Sequence, residues 1–151
     1  MSPSVDPELL AAVRGVALAA RMIEHHLDAM TLAQLRIMTL IERDPIRASA
    51  LAERAALSRP TLSGLLDGLA AKGWIDRCAV DGDRRGVTLA ITDVGRRALT
   101  AAQQESTRAL AGLLDELPAR RRAAAIDALG SLATAVQIRH DRRMVEGETA
   151  R

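Results

Sequence analysis

Residues 58–85 read SRPTLSGLLDGLAAKGWIDRCAVDGDRR, and this stretch predicts a capped helix followed by a hairpin with a basic tip. Ser58 can accept hydrogen bonds from the unpaired N–H groups of a first turn, and Pro60 is favourable there because it lacks an N–H that would need a partner. Gly73 suits the left-handed residue that ends a helix. The sequence therefore marks both ends of the helix.

The predicted helix has one apolar face and one small, polar face. The apolar positions follow the i, i+3, i+4, i+7 spacing of a buried helix surface and are Leu62, Leu65, Leu66 and Leu69. Arg59, Thr61 and Ser63 lie on the other side near the start, where a recognition helix presents side chains to base edges in the major groove. A surface helix of a small bundle, without a role in DNA binding, is the alternative.

The residues after Gly73 alternate with the period of two that strands show, first over residues 74–79 and again over residues 87–91. Glycine, aspartate and arginine concentrate in residues 80–86 between them, which predicts a turn with a charged tip. Because a two-stranded ribbon is only marginally stable alone, we expect it to pack on the helices through Trp74, Ile75 and the row Val87, Leu89 and Ile91. Arg84 and Arg85 would then project outward, and the helix with its basic hairpin indicates DNA binding by a winged helix.

Both ends of the chain carry apolar stripes at helical spacing. The first helix, beginning near Asp6 and Pro7, has a seam with steps of three and four residues at Leu9, Val13, Val16, Ala20, Ile23, Leu27 and Met30. Further stripes comprise Leu99, Leu110, Leu113, Leu114 and Leu117 before Pro118, and Ile126, Leu129, Leu132, Ala133 and Val136 after it. A monomer would expose much of this surface, so we predict that the terminal helices of two subunits interdigitate. Packing within one chain is the alternative.

These patterns predict a mainly α fold with a small β-hairpin wing in one compact chain of 151 residues. A winged helix-turn-helix occupies residues 31–95, and the segments 1–30 and 96–151 form a helical dimerisation domain. Thr31 and Gln34 form a capping box that starts one helix, and Ala48–Ala55 forms the short helix before the recognition helix. Trp74 is the only aromatic residue, so the core must be aliphatic.

Composition excludes several classes of function. The single cysteine rules out an intrachain disulfide and a cysteine-rich metal site, and the net charge of +2 is too small for a nucleic-acid coat. The given sequence does not open on the charged and then apolar pattern of a signal peptide, and no apolar run reaches about 18 residues, so we expect a cytoplasmic protein without a membrane partner. No phosphate loop, metal-ligand spacing or activated nucleophile occurs, so we predict neither an enzyme nor a cofactor.

Several motifs occur in an order that resembles the MarR family of bacterial transcriptional regulators. They lie in residues 31–95 and are Leu51-Ala-Glu-Arg54, Leu57-Ser-Arg-Pro-Thr-Leu-Ser63, Lys72-Gly-Trp-Ile-Asp-Arg77, Asp83-Arg-Arg85 and Leu89-Ala-Ile-Thr-Asp-Val-Gly95. The resemblance implies a homodimeric winged-helix repressor or activator. It also implies that a small ligand or an oxidant lowers the affinity for a palindromic operator in double-stranded DNA.

For the recognition helix, the resemblance implies that Arg59, Thr61 and Ser63 contact bases and phosphates. Many relatives carry polar or basic side chains where this helix has Gly64 and Gly68. The resemblance therefore does not indicate which bases this helix contacts directly. These glycines each cost about 1 kcal/mol relative to alanine in a helix interior. They either permit close packing within the protein, or Gly64 lets the helix backbone lie deep against DNA while the wing and DNA shape supply specificity.

For the wing, Arg85 resembles an arginine that enters the minor groove, and Asp83 resembles an aspartate that helps to hold the wing in shape. Arg84 is expected to meet phosphate. Arg77, at the end of the first ribbon strand, resembles a residue that braces the wing or touches the DNA backbone.

Relatives in this family bind small aromatic or phenolic anions between the first helix and the winged helix. This implies that Arg14, Arg21 or His25 supplies a charge to such an effector and that Trp74 supplies the only ring that could stack on it. Cys78 as a redox sensor is an alternative, although Arg77 beside it points to the opposite face of the strand. A zinc site at His25 is another, although the adjacent His26 points about 100° away on a helix.

The sequence thus predicts a sequence-specific regulator of transcription that binds double-stranded DNA. We expect a homodimeric repressor that a small-molecule effector releases from a pseudo-palindromic operator. A winged helix that docks protein without specific DNA binding is the alternative, because a fold does not by itself determine function.

Overall fold

Helices and short strands alternate in the order of a winged helix-turn-helix with long helices at both ends. The computed structural model describes residues 6–43, 45–80 and 83–149, and their side chains other than those of residues 79–80, 83–86, 140 and 143–149. The elements in chain order are α1 (Pro7–His25), α2 (Leu32–Arg43), β1 (Ile46–Arg47), α3 (Ala48–Ala55), α4 (Arg59–Ala71), β2 (Ile75–Val80), β3 (Asp83–Ile91), α5 (Asp93–Asp115) and α6 (Ala119–Thr149). The predicted mainly α fold with a small β wing is confirmed.

Four of the helices begin at side chains that accept hydrogen bonds from first-turn N–H groups. The capping box at the start of α2 is present, because Thr31 Oγ1 accepts from the Gln34 N–H and Gln34 Oε1 accepts from the Thr31 N–H, each at 3.1 Å. The other capping side chains are those of Asp6, Ser58 and Thr92, which accept from the N–H groups of Glu8, Thr61 and Gly95. Local hydrogen bonding therefore sets the helix starts that the sequence predicted.

The wing is a three-stranded antiparallel sheet with the order β1-β3-β2. Strand β3 pairs with β2 from Ile75 opposite Ile91 to Ala79 opposite Val87, and Ile46 of β1 pairs with Leu89 on the other side of β3. The sequence predicted a two-stranded ribbon and missed β1. Two residues are too short to show the alternation that identifies a strand.

The buried core lies between the sheet and helices α2 to α5. Its largest fully buried side chains are Ile37, Met38, Ile41, Leu51, Leu69, Leu89 and Leu99. Each such side chain contributes about 1.5–3 kcal/mol on burial. The predicted row on β3 is only partly in this core, because Leu89 is buried and Ile91 half-buried while Val87 is 39% exposed near the far end of the hairpin.

The terminal helices contribute little to the core of one chain. Helix α1 packs against α5 and α2, and α6 packs against α5, yet α1 has no buried residue and no described side chain of α6 is buried. The large exposed apolar side chains on these two helices are Leu9, Leu10, Val13, Val16, Leu18, Met22, Ile126, Leu129, Leu132, Val136 and Ile138. Within the described ranges, none of the helices has the length and hydropathy needed to span a bilayer.

Candidate nucleic-acid interface

Helix α4 turns a polar side outward because its leucines hold the opposite side in the core. Leu62, Leu66 and Leu69 are buried, whereas the predicted contact residues Arg59, Thr61 and Ser63 are exposed. The hydroxyl groups of Thr61 and the capping Ser58 lie 2.7 Å apart and share a hydrogen bond. This bond orients Thr61 at the end of the helix where its side chain could meet a ligand.

Arg77 joins the wing to α4. Its Nη2 donates to Oδ1 of Asp67 at 2.6 Å, which ties the middle of β2 to the outward side of the helix. The pair is solvent-accessible, with the two side chains 43% and 63% exposed, so it adds only modestly to stability. This contact can brace the wing against α4. It also pairs the negative charge of Asp67 on the outward side of the helix with the positive charge of Arg77.

A groove of about 390 Å³ runs between α3, α4 and the sheet. Its lining includes three predicted contact residues above an apolar floor and consists of Ala48, Ser49, Ala52, Arg59, Leu62, Ser63, Leu66, Arg77, Val87 and Leu89. The fold therefore brings Arg59, Ser63 and Arg77 to one groove, although they lie up to 18 positions apart in the chain (77 − 59 = 18).

The remaining wing predictions concern Asp83, Arg84 and Arg85. Strand β3 begins at Asp83, whose backbone pairs with Val80 at the closing end of the hairpin. The side chains of these three residues lie outside the described part of the structure, so their predicted roles stay predictions.

The base of the wing is tied to the end of α4 and to the loop that follows α1. Gly73 has a φ of 68°, the left-handed value predicted for the helix stop. Lys72 Nζ donates to the carbonyl oxygen of Ala29 at 2.7 Å and lies 4.3 Å from the ring centre of Trp74. These contacts connect the candidate interface with the first helix and its loop.

The predicted effector residues occupy two different environments. Arg14, Arg21 and His25 are exposed on α1. Trp74 is buried at the base of the wing, with Lys72 over its ring. A ligand that stacked on Trp74 would therefore have to displace Lys72 or the packing around the ring.

A cleft of about 450 Å³ lies between α1 and α5, where the sequence did not predict one. It is lined by His26, rather than His25, and by Met22, Glu105, Arg108, Ala109, Gly112 and Leu113. The signal was weak because each helix shows its own periodicity and neither shows which face of the other it meets. In the described part of the chain, no group of three or more His, Cys, Asp or Glu side chains is placed to hold a metal ion, and Cys78 is exposed.

One family model matches the region that contains this interface. Residues 30–86 match the model of the MarR family, which agrees with the resemblance seen in the sequence motifs. No curated protein sequence matches the chain closely enough to count as a relative.

Solved structures share the fold over nearly the whole chain. The transcriptional repressor CouR, bound to a 23-mer DNA duplex, is 26% identical with a TM-score of 0.71, and the match covers 87% of this chain and 99% of CouR. Wild-type MarR from E. coli in its apo form is 22% identical with a TM-score of 0.74, covering 85% of this chain and 98% of MarR. The PcaV transcriptional regulator from Streptomyces coelicolor is 22% identical with a TM-score of 0.69, covering 88% and 98% of the two chains.

Proposed function

We propose that this chain is a homodimeric repressor of the MarR family, whose model matches residues 30–86, and that it binds a pseudo-palindromic operator in double-stranded DNA. A small-molecule effector releases it. A regulator of this kind works where the chromosome is, so a cytoplasmic location is part of the proposal.

One observation carries the proposal of DNA binding. The exposed, polar start of α4 and the arginine-bearing hairpin flank one groove, to which Arg59, Ser63 and Arg77 all contribute. A helix of this kind fits the major groove, and a basic hairpin beside it can reach the phosphates or the adjacent minor groove. The structure of CouR on a DNA duplex supports the same partner for this chain.

In the proposed complex, α4 enters the major groove with its N-terminal half. Arg59, Thr61 and Ser63 contact base edges and phosphates there. Arg77 acts as a brace, because one of its five N–H donors is already used by Asp67, and the remaining donors can reach the DNA backbone.

The wing supplies the second set of contacts. Arg85 enters the minor groove, Arg84 meets phosphate, and Asp83 holds the hairpin in shape. Planar guanidinium groups suit these roles because they bind phosphate oxygens through two parallel hydrogen bonds.

The dimer is formed by residues 1–30 and 96–151, and residues 31–95 bind DNA. The large exposed apolar side chains of α1 and α6 support this division, since a monomer rarely leaves an extensive apolar surface open. Two subunits related by a two-fold axis would present two α4 helices about one turn of DNA apart, ~34 Å, to the two halves of an operator.

The effector is proposed to be a small anion that binds near α1. Arg14, Arg21 and His25 offer positive or hydrogen-bonding groups on that helix, and Trp74 becomes available to a ligand if Lys72 or the packing around the ring is displaced. Release requires that the effector prefer the conformation that does not fit the operator. A difference of about 1–3 kcal/mol between the two conformations, roughly 5- to 150-fold in affinity, is sufficient.

The wing arginines provide the test. The variant Arg84→Ala/Arg85→Ala removes two proposed DNA contacts from each subunit and so four from the dimer, and the slope of log affinity against log salt should become shallower by up to about 4, since each neutralised phosphate adds ~0.9. The probe is a duplex that the wild-type protein enriches from fragments of its own genome. Arg120→Ala/Arg121→Ala removes the same charge at the exposed start of α6 and should leave the slope unchanged. An unchanged slope in the wing variant would instead favour a winged helix that docks protein.

A further inference from the structure

Helix α4 contains a glycine that its own chain does not require. Gly64 lies in the helix interior and is exposed. A Cβ at this position would meet no heavy atom within 4 Å. Among the described glycines, Gly73 is the one with a positive φ. Gly64 therefore has the ordinary helical backbone that any residue can adopt. Glycine is nevertheless among the least favourable residues in a helix interior.

Gly64 lies near the middle of the outward face. At about 100° per residue, it points roughly 200° away from the buried Leu62. Ser63 and Asp67 flank it and are also exposed, and the carboxylate of Asp67 is paired with Arg77. The glycine therefore leaves bare helix backbone at the part of α4 that a molecule approaching this face meets first.

The other open or helical glycines lie in different surroundings from Gly64. Gly15, Gly112 and Gly130 also have open space around them, but they lie in α1, α5 and α6, where a second subunit is proposed to pack. Gly68, one turn after Gly64 in α4, is half-buried, and a Cβ there would contact the side-chain nitrogen of Gln34 at an ordinary 3.6 Å. Gly68 faces α2, whereas Gly64 faces solvent.

We propose that Gly64 is a specificity-determining position that sets how closely α4 approaches the major groove. Because Gly64 has no side chain, a base edge at the centre of each half-site can reach the helix backbone, and Arg59 and Ser63 come within reach of their own contacts. A side chain at position 64 holds the whole helix away from the bases. The inference rests on the proposed function, because it identifies the approaching molecule as double-stranded DNA.

Three variants of the full-length protein test the proposal, and each is assayed with a duplex that the wild-type protein has enriched from a randomised library. Gly64→Ala should raise the Tm by about 2–4 °C because alanine favours the helix, yet it should weaken binding by about tenfold, the effect of one mismatched base pair. Gly64→Leu should bind more weakly still. The matched control Gly68→Ala should raise the Tm by a similar amount and keep the wild-type affinity within about twofold.

Each outcome bears on the proposal. A Gly64→Ala variant that is stabilised and binds like the wild type would overturn it, and so would equal losses in Gly64→Ala and Gly68→Ala. A lowered Tm would show that the fold itself needs the glycine and would overturn it as well. If the wild-type protein enriches no duplex at all, the proposed function fails, and the role of Gly64 fails with it.

Discussion

Gly95 controls the junction between the wing and α5. A Cβ at this buried residue would lie 2.7 Å from the carbonyl carbon of Trp74 and nearer still to its oxygen. Its N–H donates to Thr92 Oγ1 at 3.0 Å, and the same hydroxyl donates to the carbonyl oxygen of Gly73 at 2.7 Å. The obstructing atoms belong to backbone, so no side-chain rotation can relieve the contact.

Gly95→Ala should therefore lower the free energy of unfolding by about 1–3 kcal/mol, the usual effect of forcing extra atoms into a packed site. Urea denaturation of the wild type and the variant measures this difference. Gly68→Ala is the control, because its Cβ would make an ordinary contact and the variant should be slightly more stable than the wild type. A Gly95→Ala variant as stable as the wild type would contradict the packing described here.

The sequence predicted those side chains whose hydrogen-bond partners lie close by in the chain. The capping roles of Ser58, Thr31 and Thr92 could be predicted because a cap and its N–H partner lie within three residues of each other. The need for glycine at position 95 could not, because it arises from the carbonyl of Trp74, which the turn of the hairpin brings back to the start of α5.

Between elements, the contact of α4 with β2 depends on Arg77 and Asp67. Their ion pair is too exposed to hold the fold together by itself. Its larger effect in the proposed complex is electrostatic, because it neutralises a carboxylate on the face that approaches the phosphates.

Arg77→Ala should change the free energy of unfolding by less than about 1 kcal/mol while weakening DNA binding several-fold. Asp67→Asn should restore more affinity in the Arg77→Ala background than it adds in the wild type, because only there is the carboxylate unpaired. Fluorescence anisotropy on the four proteins of this cycle measures the coupling. Strictly additive effects would show that Arg77 acts without Asp67.

The bounds of the elements were largely predictable, and their contacts were not. Helix α3 has the predicted bounds, although no side chain caps its start and Ala56 ends it in a left-handed conformation. Strand β1 escaped detection because only its pairing with β3 makes it a strand. The α1–α5 cleft escaped detection for the same reason, and its lining includes His26.

For the whole molecule, the apolar faces of α1 and α6 predict the assembly. Leu132 is 50% exposed in a single chain, and the proposed dimer buries it. Leu132→Asp should shift the protein from dimer to monomer at micromolar concentration and lower operator affinity with it, because a charge in an apolar interface is costly to desolvate. Size-exclusion chromatography with light scattering measures the mass.

Val94→Asp is the control. Val94 is 49% exposed at the start of α5, and its replacement should leave the dimer intact. A dimeric Leu132→Asp protein would place the interface elsewhere.

The paired presentation of two α4 helices to one operator is tested most directly by sedimentation of the wild-type protein with an enriched duplex. We predict two chains on each duplex and a dimer of the free protein at the same concentration. A complex with one chain per duplex, or duplex and protein that sediment separately at low salt, would contradict the account.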